Sequence, residues 1–299
     1  MRWDTPETGI GPLLNNELRN MTRQPSIPDF DPKAAIDRCR ELRLRCLEIS
    51  QQVSALHMAP AFSCLEIVDA IYSHLMRQEL SQPPLDTFIL SKGHGFLAQL
   101  VVLEAKGVIP SAELVAFCTP EGSIGVHPDY GTPGVSAATG SLGHGLAMGV
   151  GIALANRATP QAHRTPVGVV YVVLSDGELQ EGSTWEAIML ASSLGVQNLV
   201  VIVDNNDFQS LGRTSQTHPS LYPIEEKFEA FGWEAASADG HDSQEIVEKV
   251  MSRTGNRPYV LIAKTTKGKG VSYMENEPIW HYRSPSELEY RVAVKELGG

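Results

Sequence analysis

Basic residues are scarce in this chain, and cysteine is scarcer. Only 24 lysines and arginines stand against 35 aspartates and glutamates, a formal net charge of −11, and the isoelectric point lies near 5.3. A surface of that sign repels phosphate backbones and anionic headgroups, which argues against a nucleic-acid or membrane-surface partner. The four cysteines, Cys39, Cys46, Cys64 and Cys118, show neither Cys-x-x-Cys spacing nor the density of a disulfide scaffold, as expected in a reducing compartment. No apolar run approaches a membrane span. The start, MRWDTPETGIGPLL, lacks the basic region and apolar stretch of a secretory signal. The expected location is therefore cytoplasmic. Internal repeats and low-complexity tracts are also missing, whereas 42% hydrophobic content over 299 residues can bury a large core.

The richest segment is SDGELQEGSTWEAIMLASSLGVQNLVVIVDNN, residues 175 to 206. Val167 to Leu174 is an apolar, β-branched run broken by Ser175, Asp176 and Gly177; Leu199 to Val203 is a second, broken by Asp204, Asn205 and Asn206. Both have the pattern of strands buried in a parallel sheet. Ser183 to Leu194 has the length and apolar spacing of a crossover helix, so the segment makes a βαβ unit with its polar residues at the carboxyl ends of the strands. Ligands bind at that edge of open α/β sheets. Asp176 offers a hard anionic oxygen and Asn206 a neutral carbonyl oxygen, a set suited to Mg2+ or Ca2+ and poorly suited to zinc. Gly177 lets a phosphate approach the backbone, and the helix start beyond it adds positive dipole. An Asp-Gly after a strand is more often a plain turn; the second strand ending in Asn-Asn counts against that reading here.

The rest of the chain alternates in the same way. Residues 1 to 30 are polar and proline-punctuated, without a sustained period, and are expected to form an arm or a partly disordered leader. Asp31 and Pro32 have the chemistry of an N-cap and first helical position, opening a helix with Ile36, Cys39, Leu42, Cys46, Ile49 and Val53 at helical spacing. Ser63 and Glu66 have capping-box spacing for a second helix carrying Val68, Ile71, Tyr72 and Leu75 inward. Phe88 to Leu90 and Tyr259 to Ala263 supply further strands. The expected fold is α/β: a doubly wound, mostly parallel sheet flanked by helices, over residues 31–299.

These residues resemble a known family. Ser-Asp-Gly, then 27 residues, then Asn-Asn is similar to the thiamine diphosphate fingerprint, and the match is to transketolases. Further segments are similar in the same order: SALHMAP (54 to 60), DTFILSKGHG (86 to 95), GVHPDYGTPGVSAATGSLGHGLAMGVGIALA (125 to 155), DGHD (239 to 242), KTTKGKG (264 to 270) and WHY (280 to 282). The resemblance covers roughly residues 31 to 290 and implies the diphosphate-binding domain, with thiamine diphosphate and Mg2+ (or Ca2+) as cofactors. It puts the metal at Asp176, Asn206 and Phe208. It puts the cofactor against Gly140, Ser141, Leu142, Asp176, Gly177, Glu178, Asn206, His94 and His281.

A lone histidine is more often hydrogen-bonded surface than catalyst, although imidazole suits proton transfer near neutral pH. By resemblance, His94 and His281 approach the diphosphate and the reacting oxygens, while His57 and His127 bind the hydroxyls of a ketose donor and move protons at its carbonyl. Glu181 by itself suggests a favourable charge at a helix start; the resemblance implies a place in a buried carboxylate network linking paired active sites. His144 stands where transketolases commonly have Gln, and His241 reads as structural. The glycines of 140 to 145 do not fit dinucleotide-loop spacing, and KGKG at 267 to 270 lacks the Gly-Lys-Ser/Thr of a P-loop; its lysines face substrate phosphate or simply solvent.

In full-length transketolases a pyrimidine-binding domain follows the present one and supplies the glutamate that activates the cofactor. The chain stops at Gly299, just after the portion that resembles the diphosphate domain, so the expectation is one subunit of a split enzyme. It would transfer a two-carbon ketol unit from a ketose or its phosphate to an aldose, and a separate C-terminal transketolase subunit would complete it in an α2β2 assembly. Two departures stand out. Ser175 replaces the first Gly of the usual triplet, and His57-Met58-Ala59-Pro60 replaces the common His-Pro-Gly-Gly, placing a bulky Met58 where it could reshape the donor pocket. Three alternatives stay open: a 1-deoxyxylulose-5-phosphate synthase-like enzyme, the α-like chain of a 2-oxoacid dehydrogenase, and a non-catalytic cofactor-binding protein. The SKGHG and GVHPDYG segments favour transketolase.

Overall fold

A computed structural model describes residues 30–53, 56–77, 85–158, 167–210 and 212–298. The arm expected over residues 1 to 30 therefore lies outside the described residues, apart from its last position. Seven strands are described: β1 (Thr87–Leu90), β2 (Val170–Ser175), β3 (Leu199–Asn205), β4 (Phe208–Gln209), β5 (Gly212–Arg213), β6 (Glu234–Asp239) and β7 (Tyr259–Lys264). The helices are α1 (Pro32–Ser50), α2 (Met58–Ala70), α3 (Phe96–Ala105), α4 (Ser111–Val115), α5 (Gly145–Ala158), α6 (Gly182–Ser193), α7 (Thr214–Thr217), α8 (Ile224–Ala230), α9 (Ser243–Met251) and α10 (Glu287–Glu296).

Five strands form one sheet in the order β1-β2-β3-β7-β6, every pair parallel; β4 and β5 form a small antiparallel hairpin beside it. Parallel strands covered on both faces are apolar along their whole length, and each residue of β2 is buried. The period of two sorts them. Tyr171, Val173, Val200, Ile202 and Leu261 enter a core shared with α1, α2, α3 and α9, while Val172, Leu174, Val201, Val203 and Ile262 enter a second core shared with α5, α6 and α8. Right-handed crossovers explain the division. The chain steps in one direction through β1, β2, β3 and β6 with α5, α6 and α8 on one face, then turns back through α9 on the other face to place β7 between β3 and β6. The sheet is thus doubly wound, and polar loops gather where its strands end.

α1 begins as expected: the Asp31 carboxylate accepts from Ala34 N at 3.1 Å, and Pro32 occupies the first turn. Ile36 departs from expectation, being 67% exposed, although Cys39, Leu42, Cys46 and Ile49 face inward. The expected cap at Ser63 is overturned. α2 starts five residues earlier, at Met58, and all thirteen of its residues are buried. A helix apolar on every side carries no stripe to mark its start, and both polar residues serve tertiary contacts instead. Ser63 Oγ donates to Asp204 Oδ1 at 2.8 Å, and Glu66 takes a bidentate pair from Arg43 at 2.5 and 2.8 Å. The inward positions Val68, Ile71, Tyr72 and Leu75 are buried as expected. Cys39, Cys46 and Cys64 are buried, Cys118 is exposed, and all four are free thiols. Among the described residues no helix is long and apolar enough to cross a membrane.

Candidate active site

The register of β2 against β3 pairs Ser175 with Asp204, so Asp176 and the Asn205-Asn206 step emerge side by side at the same edge. Asp176 is fully buried. Its Oδ1 accepts from Gly177 N at 2.9 Å and its Oδ2 from the Tyr222 hydroxyl at 3.4 Å. Burial first, then the neighbouring Asp204 charge, pushes its carboxyl up to about 7, the behaviour of an anion held without enough positive charge. Asn206 is locked in one orientation. Its Nδ2 donates to Ser63 Oγ at 2.9 Å and Asp204 Oδ2 at 3.4 Å, which turns Oδ1 toward the chain ahead, where it accepts from Phe208 N at 2.9 Å. A carboxylate lacking a counter-charge beside an amide oxygen held outward is a donor set that fits a hard divalent cation. Phe208 can add only its main-chain carbonyl. Among the described residues no cluster of three or more His, Cys, Asp or Glu has metal-binding proximity.

Beneath this edge lies a pair that the sequence reading passed over. Lys92 and Asp204, 112 residues apart, form a salt bridge with both side chains fully buried. Lys92 Nζ also donates to Pro60 O in the first turn of α2 at 3.1 Å, and the hydroxyls of Ser63 and Thr265 donate to Asp204 Oδ1. Burial works to lower the Lys92 pKa, but the Asp204 carboxylate prevails and holds it above its ordinary value. The pair ties β1, α2, β3 and the loop after β7 into one node, and Asn206 rests on it. The signal was present in SKGHG, where a lysine stands two residues beyond the end of β1.

The four histidines come together. The His57 ring lies 6.0 Å from His94, 5.4 Å from His127 and 5.4 Å from His281, and His94 lies 5.5 Å from His281. Each comes from a different loop: ahead of α2, after β1, before α5, and in the turn Pro278–Tyr282. Burial, followed by His127, Lys92 and Lys267, lowers His57 to about 4; burial, followed by Lys267 and His57, lowers His281 to about 3. His94 is lowered well below its usual value, by burial and then Lys92, and burial lowers His127 as well. At neutral pH the cluster is uncharged, able both to accept and to donate protons. His57 Nδ1 is buried without a hydrogen-bond partner. Lys267 joins the cluster to the strand ends: its Nζ lies 3.0 Å from His281 Nδ1 and 5.2 Å from the centre of the Phe208 ring. Burial, with Lys92 next, lowers that lysine to about 8. Of the KGKG segment, then, Lys267 points into the site rather than to solvent.

Two glycines let the loops close over this region. A Cβ on Gly93 would lie 2.7 Å from Gly140 Cα, and Gly140 itself has a φ of +130° with the His127 ring 3.0 Å from where its Cβ would be. Gly177 is crowded by Gln209. Glu178 braces the 140 to 145 loop, its Oε1 accepting from Gly143 N at 2.9 Å and from Ser91 Oγ. Burial raises its pKa against those donors, and its Oε2 has no partner. Ser141 is exposed and Leu142 partly buried; His144 turns back onto their carbonyls at 3.2 Å. Glu181 is exposed at the N-cap of α6, so the buried place expected for it is not formed within this chain. His241 is structural as expected, with Nδ1 at 3.0 Å from Glu66 and Nε2 accepting from Thr266 N at 2.8 Å. Met58, expected as a residue that could reshape the donor pocket, is fully buried in the core.

Comparison with known proteins agrees with this geometry. The family model "Transketolase, thiamine diphosphate binding domain" matches residues 33–298. One of the subunits of an apulose-4-phosphate transketolase from Phocaeicola vulgatus is 39% identical over 261 residues, covering 85% of this chain and 90% of that protein. A 6-deoxy-6-sulfo-D-fructose transketolase subunit from a Clostridium species is 35% identical over 262 residues, covering 86% and 93%. Among solved structures, transketolase from Campylobacter jejuni superposes with a TM-score of 0.81 at 25% identity over 90% of this chain, and that from Leishmania mexicana with 0.78 at 26% over 88%. The chain spans 43% and 41% of those two proteins. The parallel sheet, the strand-end Asp and Asn and the clustered histidines thus lie within a match running almost the length of the chain, and the chain belongs to the transketolase family, as its thiamine diphosphate binding domain.

Proposed function

We propose that this chain is the thiamine diphosphate-binding subunit of a two-polypeptide transketolase, moving a two-carbon ketol unit from a ketose or ketose phosphate to an aldose. The observation that carries the reading is the convergence of four uncharged histidines on the edge where Asp176 and Asn206 emerge. Support for a separate partner comes from relatives whose names call them subunits and whose length this chain matches over 90% and 93%. The partner would be a C-terminal transketolase subunit carrying the pyrimidine-binding domain, assembled as α2β2 in the cytoplasm.

Within that assembly, Asp176, Asn206 Oδ1 and the Phe208 carbonyl hold Mg2+ or Ca2+, and Gly177 with the start of the following helical turn receives the diphosphate. Gly140, Ser141 and Leu142 face the pyrimidine side, with Glu178 bracing their loop. The chemistry supplied by bound thiamine diphosphate is a nucleophilic carbon and an electron sink for cleaving a carbon–carbon bond beside a ketone. This chain's side chains bind and move protons. His94 and His281 contact the diphosphate and the reacting oxygens, and Lys267, held against His281, adds positive charge toward phosphate. His57 and His127, kept neutral by burial, take hydrogen bonds from donor hydroxyls and shuttle the proton at the carbonyl oxygen. Glu181, exposed here, faces the second active site across the assembled interface. The test is ketol transfer with thiamine diphosphate and Mg2+, by the purified chain alone and with a pyrimidine-domain polypeptide. Turnover is expected only with both; full turnover by the lone chain refutes the two-polypeptide reading.

A further inference from the structure

The histidine cluster has a fifth ring beside it. Tyr282 lies 4.6 Å from the His57 ring, tilted by 48°, closer than any of the other three histidines. Its position is held by its neighbours and not by its own packing. Trp280 is buried, 5.0 Å from Tyr273, and the Arg283 guanidinium stacks over Trp280 at 4.2 Å. Arg283 N donates to Leu56 O at 2.9 Å, its main chain bridges to His57, and Ser284 Oγ donates to Val53 O at 2.6 Å. Residues 280 to 284 are therefore tied to the segment that presents His57.

Tyr282 itself is 52% exposed, and among the described residues its hydroxyl makes no hydrogen bond. A half-exposed aromatic ring that contributes nothing to the core, set against one of four clustered histidines, has the form of a recognition surface. Its apolar face suits the C–H face of a carbohydrate chain, and its free hydroxyl can pair with a sugar hydroxyl. Among the described residues the Tyr282 ring contacts that of His57 and of none of the other three histidines, a placement suited to the part of a substrate away from the reacting carbonyl.

We propose that Tyr282 is a specificity-determining residue: it walls the outer side of the cleft over His57 and selects among ketose donors by the length of the chain beyond the carbonyl. This rests on the ketol-transfer reading above. The residue is a substrate-contacting wall with no part in proton transfer.

The test uses the complete enzyme, this chain with its partner polypeptide, thiamine diphosphate and Mg2+. Steady-state kinetics are measured with ketose donors of five, six and seven carbons for the unsubstituted protein, Tyr282→Ala and Tyr282→Phe. Tyr282→Ala should raise KM for the shortest donor roughly tenfold with little change in kcat, and move the kcat/KM ratio of longest to shortest donor roughly tenfold toward the longest. Tyr282→Phe should keep the length preference. Thiamine diphosphate affinity, read by calorimetry, should be unchanged in both. An unaltered ratio among donors in Tyr282→Ala overturns the proposal. So does an equal loss on every donor accompanied by weaker association with the partner, which would make Tyr282 an interface residue. Absence of ketol transfer by the unsubstituted complex would instead remove the parent reading, and this inference with it.

Discussion

Replacing Lys92 by Met tests the buried node on which the site stands. The substitution keeps the length of the side chain and removes its charge, leaving Asp204 fully buried with hydroxyl donors from Ser63 and Thr265 and a weak amide contact from Asn206. Breaking one side of a buried ion pair costs about 3–5 kcal/mol, because the surviving charge has lost its neutraliser and cannot regain water. The two hydroxyls each contribute about 1.5–3 kcal/mol toward a charged acceptor, but they do so in the intact protein too and offset nothing new. At about 2–4 °C per kcal/mol for a chain somewhat smaller than this one, the melting temperature should fall by roughly 10 °C. Urea unfolding of Lys92→Met, Asp204→Asn and the double variant closes a thermodynamic cycle. The double variant should be more stable than the two single losses added together imply, by about 2 kcal/mol, since neither partner is left charged and alone. Additivity within about 0.5 kcal/mol, or a Lys92→Met loss below about 1 kcal/mol, would refute the claim that this pair is the structural node.

Two further outcomes follow from the same electrostatics. Asp176→Ala should abolish Mg2+-dependent binding of thiamine diphosphate to the assembled enzyme, because the remaining oxygens at Asn206 and Phe208 are neutral; unchanged affinity in titration calorimetry would reject the ligand assignment. Stability should fall on acidification through the histidines. His57 and His281 titrate near 6.5 when unfolded but are held to about 4 and about 3 in the fold, so below pH 6.5 the unfolded chain takes up protons that the fold refuses. The stabilisation is complete above pH 6.5 and is lost as pH falls toward those folded values. Both rings are partly open to solvent, and screening reduces the pair's slope to about 1 kcal/mol per pH unit. Urea unfolding between pH 5 and 7 should show that slope weakened in His57→Gln; an identical slope would sink the assignment.

How much of this was legible in the sequence depended on the range of the interaction involved. Asp31-Pro32 marked the start of α1 because a cap is a contact over three residues, and the β-branched runs before Asp176 and Asn206 marked strands because burial on both faces leaves an uninterrupted apolar stretch. Ser63 and Glu66 misled because their spacing is that of a local cap, whereas their partners, Asp204 and Arg43, lie 141 and 23 residues away. Lys92 left no local sign of its role, because its partner Asp204 lies 112 residues away; Met58 misled, because a methionine beside a site histidine looks like pocket lining, yet the direction of α2 turns it into the core.

The same reasoning bears on which loop shapes the donor end of the cleft. Residue spacing near His57 pointed to Met58, its covalent neighbour, but consecutive side chains at a helix start diverge by about 100°, and only one of the two can face the cleft. The ring that does lie against His57 is Tyr282, far along the chain and brought there by the bridge between His57 and Arg283. A contact of that range leaves no local signal. An alteration of donor preference is therefore expected from Tyr282, which is 52% exposed and can change without disturbing a core, and not from Met58, where a change of volume would be felt first as lost stability.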